Sequence, residues 1–376
     1  MSALAQAWEH VWFGPVSRIR VWLMVRVTAL VLALDTWLLM IERGGRYGAG
    51  SFNVAHFGWL DALQPMPSAG SYVGLIITSG VIAMLIALGI GGQIALALLT
   101  LLYTYAWAMS QLDSYQHHVF ISWVLLCLCA LPWLSTRETL AKRDLVCAWG
   151  YRLLVALVAL LYIFTGISKS EPEWLSGSVL KRINSAGAHF EPFKSAFMQL
   201  GFDEETFWTM SGHSVVVVQL IIAATWISLL VWGERSSIWI RIARFTGVLC
   251  ALSFHLGAEI VGLRIGWFSW YMLGMSAIAF CPHPWLQWLA RLLERALTPL
   301  YSSLDGGLTT PSRWIWVLLV ILAALSFWVV GEELDLPGTR RAGILWALLA
   351  ILFTMKAFKS IQTLSYNAVA IAIASM

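Results

Sequence analysis

The chain has 376 residues, of which 59% are apolar and 12% charged, with 22 tryptophans and a mean hydropathy of +0.76. A soluble globular domain carries about twice that charge, so this composition excludes one and predicts a membrane protein. The net charge of +4, with Lys and Arg scattered between apolar runs, excludes nucleic acid as a partner and bears on membrane orientation instead.

In chain order, the pattern predicts an all-α fold, a polytopic transmembrane helical bundle of about nine or ten spans with interfacial helices. Residues 1–20, MSALAQAWEHVWFGPVSRIR, are amphipathic and basic without a small-residue cleavage site, and predict an interfacial helix leading into the first span. Spans are expected at 21–41, 71–90, 93–110, 118–135, 147–168, 213–232, 245–262, 265–281, 313–330 and 341–355. The main transmembrane domain is thus 21–282, with 169–212 as its longest non-spanning segment. In 283–312, WLQWLARLLERAL sets Trp285, Leu289, Leu292, Leu293 and Ala296 on one stripe against Arg291, Glu294 and Arg295, which predicts a helix lying in the inner interface. Residues 313–376 supply the C-terminal hydrophobic segments.

Basic residues gather before the first span (Arg18, Arg20), after the fourth (Arg137, Lys142, Arg143), after the sixth (Arg235, Arg241, Arg244) and after the eighth (Arg291, Arg295). The positive-inside rule puts those connections in the cytoplasm. Alternation then brings LDSYQHH, GISKSEPEW and the end of FHLGAEI to the opposite face, together with 169–212, which is expected to form a re-entrant or capping element.

Three polar clusters sit at that depth, where ionisable groups are costly. Lys169 follows the apolar run VALVALLYIF. Either its long stem snorkels to the surface, or desolvation lowers its pKa far enough to make it a base; Glu171 and Glu173, if close, would oppose that shift. His117 and His118 point about 100° apart on a helix, so they are not expected to chelate one metal; one faces a cavity, or both are satisfied at the interface. His255 and Glu259 share a helix face, where the carboxylate either orients the imidazole or neutralises it. Arg26 and Asp35 read as structural. The five cysteines (Cys127, Cys129, Cys147, Cys250, Cys281) form no CxxC pair, so no redox couple and no metal site is expected.

The motifs FGWLDALQPMPSAGSYVGL, SYQHHVFISW, GISKSEPEWLSG, EPFKSAF and FHLGAEIVGLRIGWFSWYMLGMSAIAFCPHPW occur in that order over residues 20–290. In this the chain resembles the integral membrane domain of the vitamin K-dependent γ-glutamyl carboxylases, the HTTM (horizontally transferred transmembrane) domain proteins. The resemblance implies a catalytic role for Lys169, with Ser168 where the family has the first lysine of a pair and with Trp174 and Gly177 at the expected distances. It implies that His118 stabilises the same step, and that His255, with Glu259 and His117, belongs to the cofactor-binding set.

The implied activity is quinol-dependent carboxylation, in which epoxidation of reduced vitamin K or menaquinol is coupled to carboxylation of glutamate side chains, with O2 and CO2 as co-substrates. The implied partners are a peptide or protein substrate on the extracytoplasmic side, a lipid-soluble quinone and membrane lipids, in a bacterial inner or cell membrane. Gln116 and His117 replace an asparagine pair, the stretch His255 to Gly266 is one residue longer, and hydrophobic segments stand where the full-length carboxylases carry a lumenal region. Those departures keep a second expectation open, that of an HTTM-type maturation or export partner of a secreted peptide toxin without carboxylase activity. A transporter is less favoured, since no inverted repeat is visible.

Overall fold

The computed structural model describes residues 7, 10–42, 69–108, 116–131, 145–233, 237–263 and 266–305. The expected spans at 313–330 and 341–355, the first residues of the interfacial helix, and Arg137, Lys142, Arg143 and Arg235 lie outside them.

Long apolar runs have one way to satisfy their backbone polar groups in lipid without a partner strand, and the described residues are accordingly helical. The elements are β1 (Pro15–Ser17), α1 (Arg18–Asp35) continuing as a π-helical stretch (Thr36–Met40), α2 (Ala69–Ala87), α3 (Gly92–Ala108), α4 (Gln116–Cys129), β2 (Leu145–Cys147) and α5 (Trp149–Ser168). Then follow α6 (Pro172–Leu175), α7 (Ser178–Ser185), α8 (Glu191–Gln199), α9 (Glu204–Trp232), α10 (Ile238–Ile260), α11 (Phe268–Phe280) and α12 (His283–Asp305).

Four helical stretches among the described residues are long and apolar enough to cross a membrane: Arg18–Met40, Trp149–Ser168, Glu204–Trp232 and Ile238–Ile260. Shorter apolar helices cover Tyr72–Ala87, Gly92–Ala108, His117–Cys129 and Phe268–Phe280. All eight overlap the first eight expected spans, four of them at crossing length, with three further differences. The sixth span is the upper part of a 29-residue helix beginning at Glu204, because the Asp203 carboxylate accepts the Thr206 N–H at 2.6 Å and starts the helix within polar sequence. Pro15–Ser17 pairs antiparallel with Leu145–Cys147, so the described end of the expected N-terminal helix is a short strand followed by the first turn of α1. The seventh span likewise starts earlier, at Ile238, where the Ser237 hydroxyl caps the Ile240 N–H.

The chain divides into two compact units. The first comprises Met1–Leu32, Gly91–Ala97 and Phe120–Gln287. Its helices α5, α9, α10 and α11 pack in that sequence, and arginines fix their polarity. Arg20 at the start of α1 donates to the carbonyls of Ile278, Ala279 (2.7 Å) and Cys281 (3.1 Å) at the end of α11. Arg152 on the first turn of α5 donates to Leu229 O at 2.7 Å, and Arg244 on α10 donates to the Ser228 carbonyl (2.6 Å) and the Gly233 carbonyl (2.9 Å). Starts of α1, α5 and α10 therefore share one end with the terminations of α9 and α11. Positive charge there also opposes the negative ends of the helix dipoles.

At the other end of this unit, α6, α7 and α8 form a cap on the first turns of α9. Leu180, Phe207 and Trp208 are its buried centre, with Trp174, Phe190, Phe197 and Val215 packed around them. Gly177 adopts φ 75°, and any side chain there would collide with the Trp208 carbonyl. The His189 N–H donates to Val261 O at 2.8 Å, tying the cap to the end of α10. An exposed ion pair joins Arg182 to Glu173 (2.5 Å), and the largely covered Lys194 pairs with Glu191 (3.0 Å) and Glu204 (3.5 Å).

The second unit comprises Ala33–Ile90, Leu98–Val119 and Trp288–Met376. Its described core holds Ile41, Tyr72, Val73, Ile76, Ile77 and Ala106. Asp35 is fully buried, and Gly80 lets α2 approach Thr36 and Trp37 of the π-helical stretch. On α12, Leu286 and Ala290 are buried while Trp285, Trp288 and Leu292 are exposed.

Candidate functional site

At the cap end of the first unit, α5 turns Tyr162, Gly166 and Lys169 onto one stripe, at i, i+4 and i+7. Lys169 is the residue that ends the helix, with its N–H on the carbonyls of Thr165 and Gly166. Its ammonium stands over the face of Trp174 at 5.3 Å from the ring centroid and is half-buried. Glu173, the carboxylate that would have anchored a charged lysine, is bonded to Arg182 instead. Burial pulls the Lys169 amine below its ordinary range.

Deeper on the stripe, the Tyr162 hydroxyl and His255 Nε2 share a buried hydrogen bond of 2.5 Å. Phe254 and Phe268 set their ring edges around the imidazole, at 5.2 and 5.9 Å between centroids. One turn along α10 from His255 lies Glu259. From α9, Gln219 and Leu220 face Gly166, where an added Cβ would lie 3.7 Å from Gln219 Cβ and 3.1 Å from Leu220 Cδ2. Three polar atoms of this group are buried with no hydrogen-bond partner among the described residues: His255 Nδ1, Gln219 Oε1 and Glu259 Oε1. Such atoms each cost about 1–3 kcal/mol when left unmatched, and each can take a hydrogen bond from a bound polar group.

His118 and His117 belong to the second unit. The His118 imidazole is buried and its Nδ1 lies 2.8 Å from the Tyr103 hydroxyl, while the His117 ring sits 4.3 Å away from it, tilted. Each unit thus holds a buried Tyr–His pair. No group of three or more His, Cys, Asp or Glu side chains arranged around a metal position occurs among the described residues.

Lys169, His255 and Glu259 are therefore brought into one unit, and His117 and His118 into the other. Sequence reasoning missed Tyr162, Tyr103 and Gln219. The spacing of seven residues between Tyr162 and Lys169 was a usable signal, and so was the lone amide of Gln219 within the run VVVVQLIIAA. A model of the HTTM domain family matches residues 21–285, and no solved structure matches the chain.

Proposed function

Because the chain belongs to the HTTM domain family, a domain related to that of the vitamin K-dependent carboxylases, we propose that it is an integral membrane enzyme using a quinol to carboxylate glutamate side chains of a secreted or membrane peptide. The observation that carries this reading is the setting of Lys169. An amine half-buried at the end of a 20-residue apolar helix, facing an indole rather than a carboxylate, gives up its proton more readily than a surface lysine. Neutral, its Nζ accepts a proton; a snorkelling anchor would instead keep its charge in water and show no such depression.

Three buried polar atoms of the first unit support a quinol as the ligand. His255 Nδ1, Gln219 Oε1 and Glu259 Oε1 are unmatched, and the first is available to donate or accept as its tautomer requires, while the two oxygens accept from hydroxyl groups. Reduced vitamin K or menaquinol bound there would supply, with O2, the strong base that takes a γ-proton from glutamate before CO2 adds. Tyr162 holds the His255 ring in place, and the aromatic edges of Phe254 and Phe268 exclude water from it. Within the second unit, His118, oriented by Tyr103 and with His117 beside it, carries the charge-stabilising role that the family resemblance implies. The arginines gathered at the opposite end of the first unit support an extracytoplasmic position for Lys169.

The test is reconstitution of the full chain in lipid with reduced quinone, O2, labelled CO2 and a glutamate-bearing peptide. Quinone epoxide and fixed label should appear together in wild type and vanish in Lys169→Ala and in Lys169→Arg, since arginine stays protonated and cannot serve as the base. Undiminished epoxidation by Lys169→Ala would sink the reading. If that variant still supports maturation of a secreted peptide while substitutions in the cap abolish it, the chain is a maturation partner and not a carboxylase.

A further inference from the structure

The cap carries a surface that Lys169 chemistry does not use. On α8 three stripes are separated by side-chain direction. Lys194 and Phe197 pack inward, with the Phe197 ring stacked on Phe202 at 4.6 Å and edge-on to Phe207 at 5.6 Å. Glu191, Ser195 and Gln199 form an exposed polar stripe, bordered on its packed side by Met198, 46% exposed. Phe193, Ala196 and Leu200, at i, i+3 and i+7, form an exposed apolar one, with Phe193 48% and Leu200 75% accessible. At about 100° per residue, the polar and apolar stripes flank the packed stripe on opposite sides.

The helix also lies broadside to the spans. Phe190, just before α8, meets Trp208 of α9 at 5.7 Å, and Phe197 meets Phe207. Along those seven residues α8 advances about 10 Å, while its contact on α9 moves by one residue, about 1.5 Å. A helix crossing a span in this way, packed on one side, turns one of its remaining stripes toward the bilayer and the other away.

Its height follows from the same contacts. The His189 N–H is bonded to Val261, the neighbour of Ile260, which is 66% exposed at the top of the lipid-facing surface of α10. Phe207 stands three residues, about 4.5 Å, beyond Met210, which is 53% exposed on α9. So α8 rests on the rim of the apolar belt of the spans, at the depth where amphipathic helices lie in the headgroup layer.

We propose that α8 is a lipid-bound interfacial helix, with Phe193, Ala196 and Leu200 turned into the bilayer and Glu191, Ser195 and Gln199 turned to water. The cap is then seated in the membrane rather than above it, and Lys169 lies beneath a lipid-anchored roof. This holds whatever reaction Lys169 performs.

The test uses the full chain in nanodiscs of phosphatidylcholine, with single cysteines at Phe193, Leu200, Ser195 or Gln199 labelled by an environment-sensitive maleimide. Wild type, with its five native cysteines, is labelled in parallel to set the background. Labels at 193 and 200 should emit blue-shifted light and lose fluorescence to doxyl-bearing lipid, while those at 195 and 199 should emit as in water and lose it to aqueous iodide. Water-like emission at all four positions overturns the proposal. So does a blue shift at 193 and 200 that doxyl lipid does not quench, because a protein surface, such as a second copy or a bound peptide, would then cover the stripe.

Discussion

Replacing Gly212 by alanine probes how firmly the cap is seated on α9. Gly212 lies on the third turn of α9, where the added methyl would run into the Trp174 carbonyl oxygen, with Leu175 O and Trp174 C each only 3.1 Å away. All three are backbone atoms, so no rotamer change relieves the clash and α6 must lift. Overpacking of this kind costs about 1–3 kcal/mol, and a backbone obstruction belongs at the upper end. Alanine also returns about 1 kcal/mol of helix propensity relative to glycine. The net is about 2 kcal/mol, or roughly a 30-fold rise in the population of detached cap.

Amide hydrogen exchange on protein in nanodiscs reads that population directly, since 172–199 should lose protection while the spans keep theirs. Gly257→Ala is the control, because a Cβ at Gly257 meets nothing within 4 Å. If Gly212→Ala leaves the exchange of 172–199 unchanged, or if Gly257→Ala loosens the cap equally, the account of how α6 is held is wrong.

Three further outcomes are expected. The folded-state pKa of Lys169 is lowered by desolvation, so its amine stays neutral to lower pH than an ordinary lysine of pKa about 10.4; acylation of Lys169, followed by peptide mass spectrometry, should persist further down the pH scale in the folded protein than in the same protein unfolded in denaturant. Tyr162→Phe leaves His255 Nε2 buried without its partner and should cost about 1–3 kcal/mol, read as a lower unfolding temperature in detergent, with Tyr105→Phe as an inert control. Arg20→Gln removes the charged donor from three carbonyls at the end of α11 and should cost at least about 1.5–3 kcal/mol, the worth of a single charged hydrogen bond, by the same measurement.

Much of the helical framework was legible because hydropathy reports the length of apolar sequence. It does not report the length of the helix. The polar run DEETFWTMSG falls in the expected non-spanning segment, yet Asp203 caps it and Phe207 and Trp208 bury in the cap, so α9 begins nine residues before the expected span at 213. The β1–β2 ladder is three residues on each side, too short for any alternation to show. Lys169 stood out as a charge at the end of an apolar run, but its freedom from Glu173 depends on Arg182, nine residues further along, claiming that carboxylate. The seven-residue spacing places Tyr162 on the stripe of Lys169, but only the fold shows that its hydroxyl meets an imidazole from 93 residues away.

The arginines at the basic end also set an order of assembly. The last carbonyls of α9 are closed by Arg152, which the ribosome has already made when α9 emerges, and by Arg244, which it has not. A helix leaves its last carbonyls open, so α9 can dock on α5 early but gains its full set of charged donors only when the first turns of α10 have followed it. The translocation machinery would then handle α9 and α10 as a single hairpin, and a chain truncated after Gly233 would leave that end open.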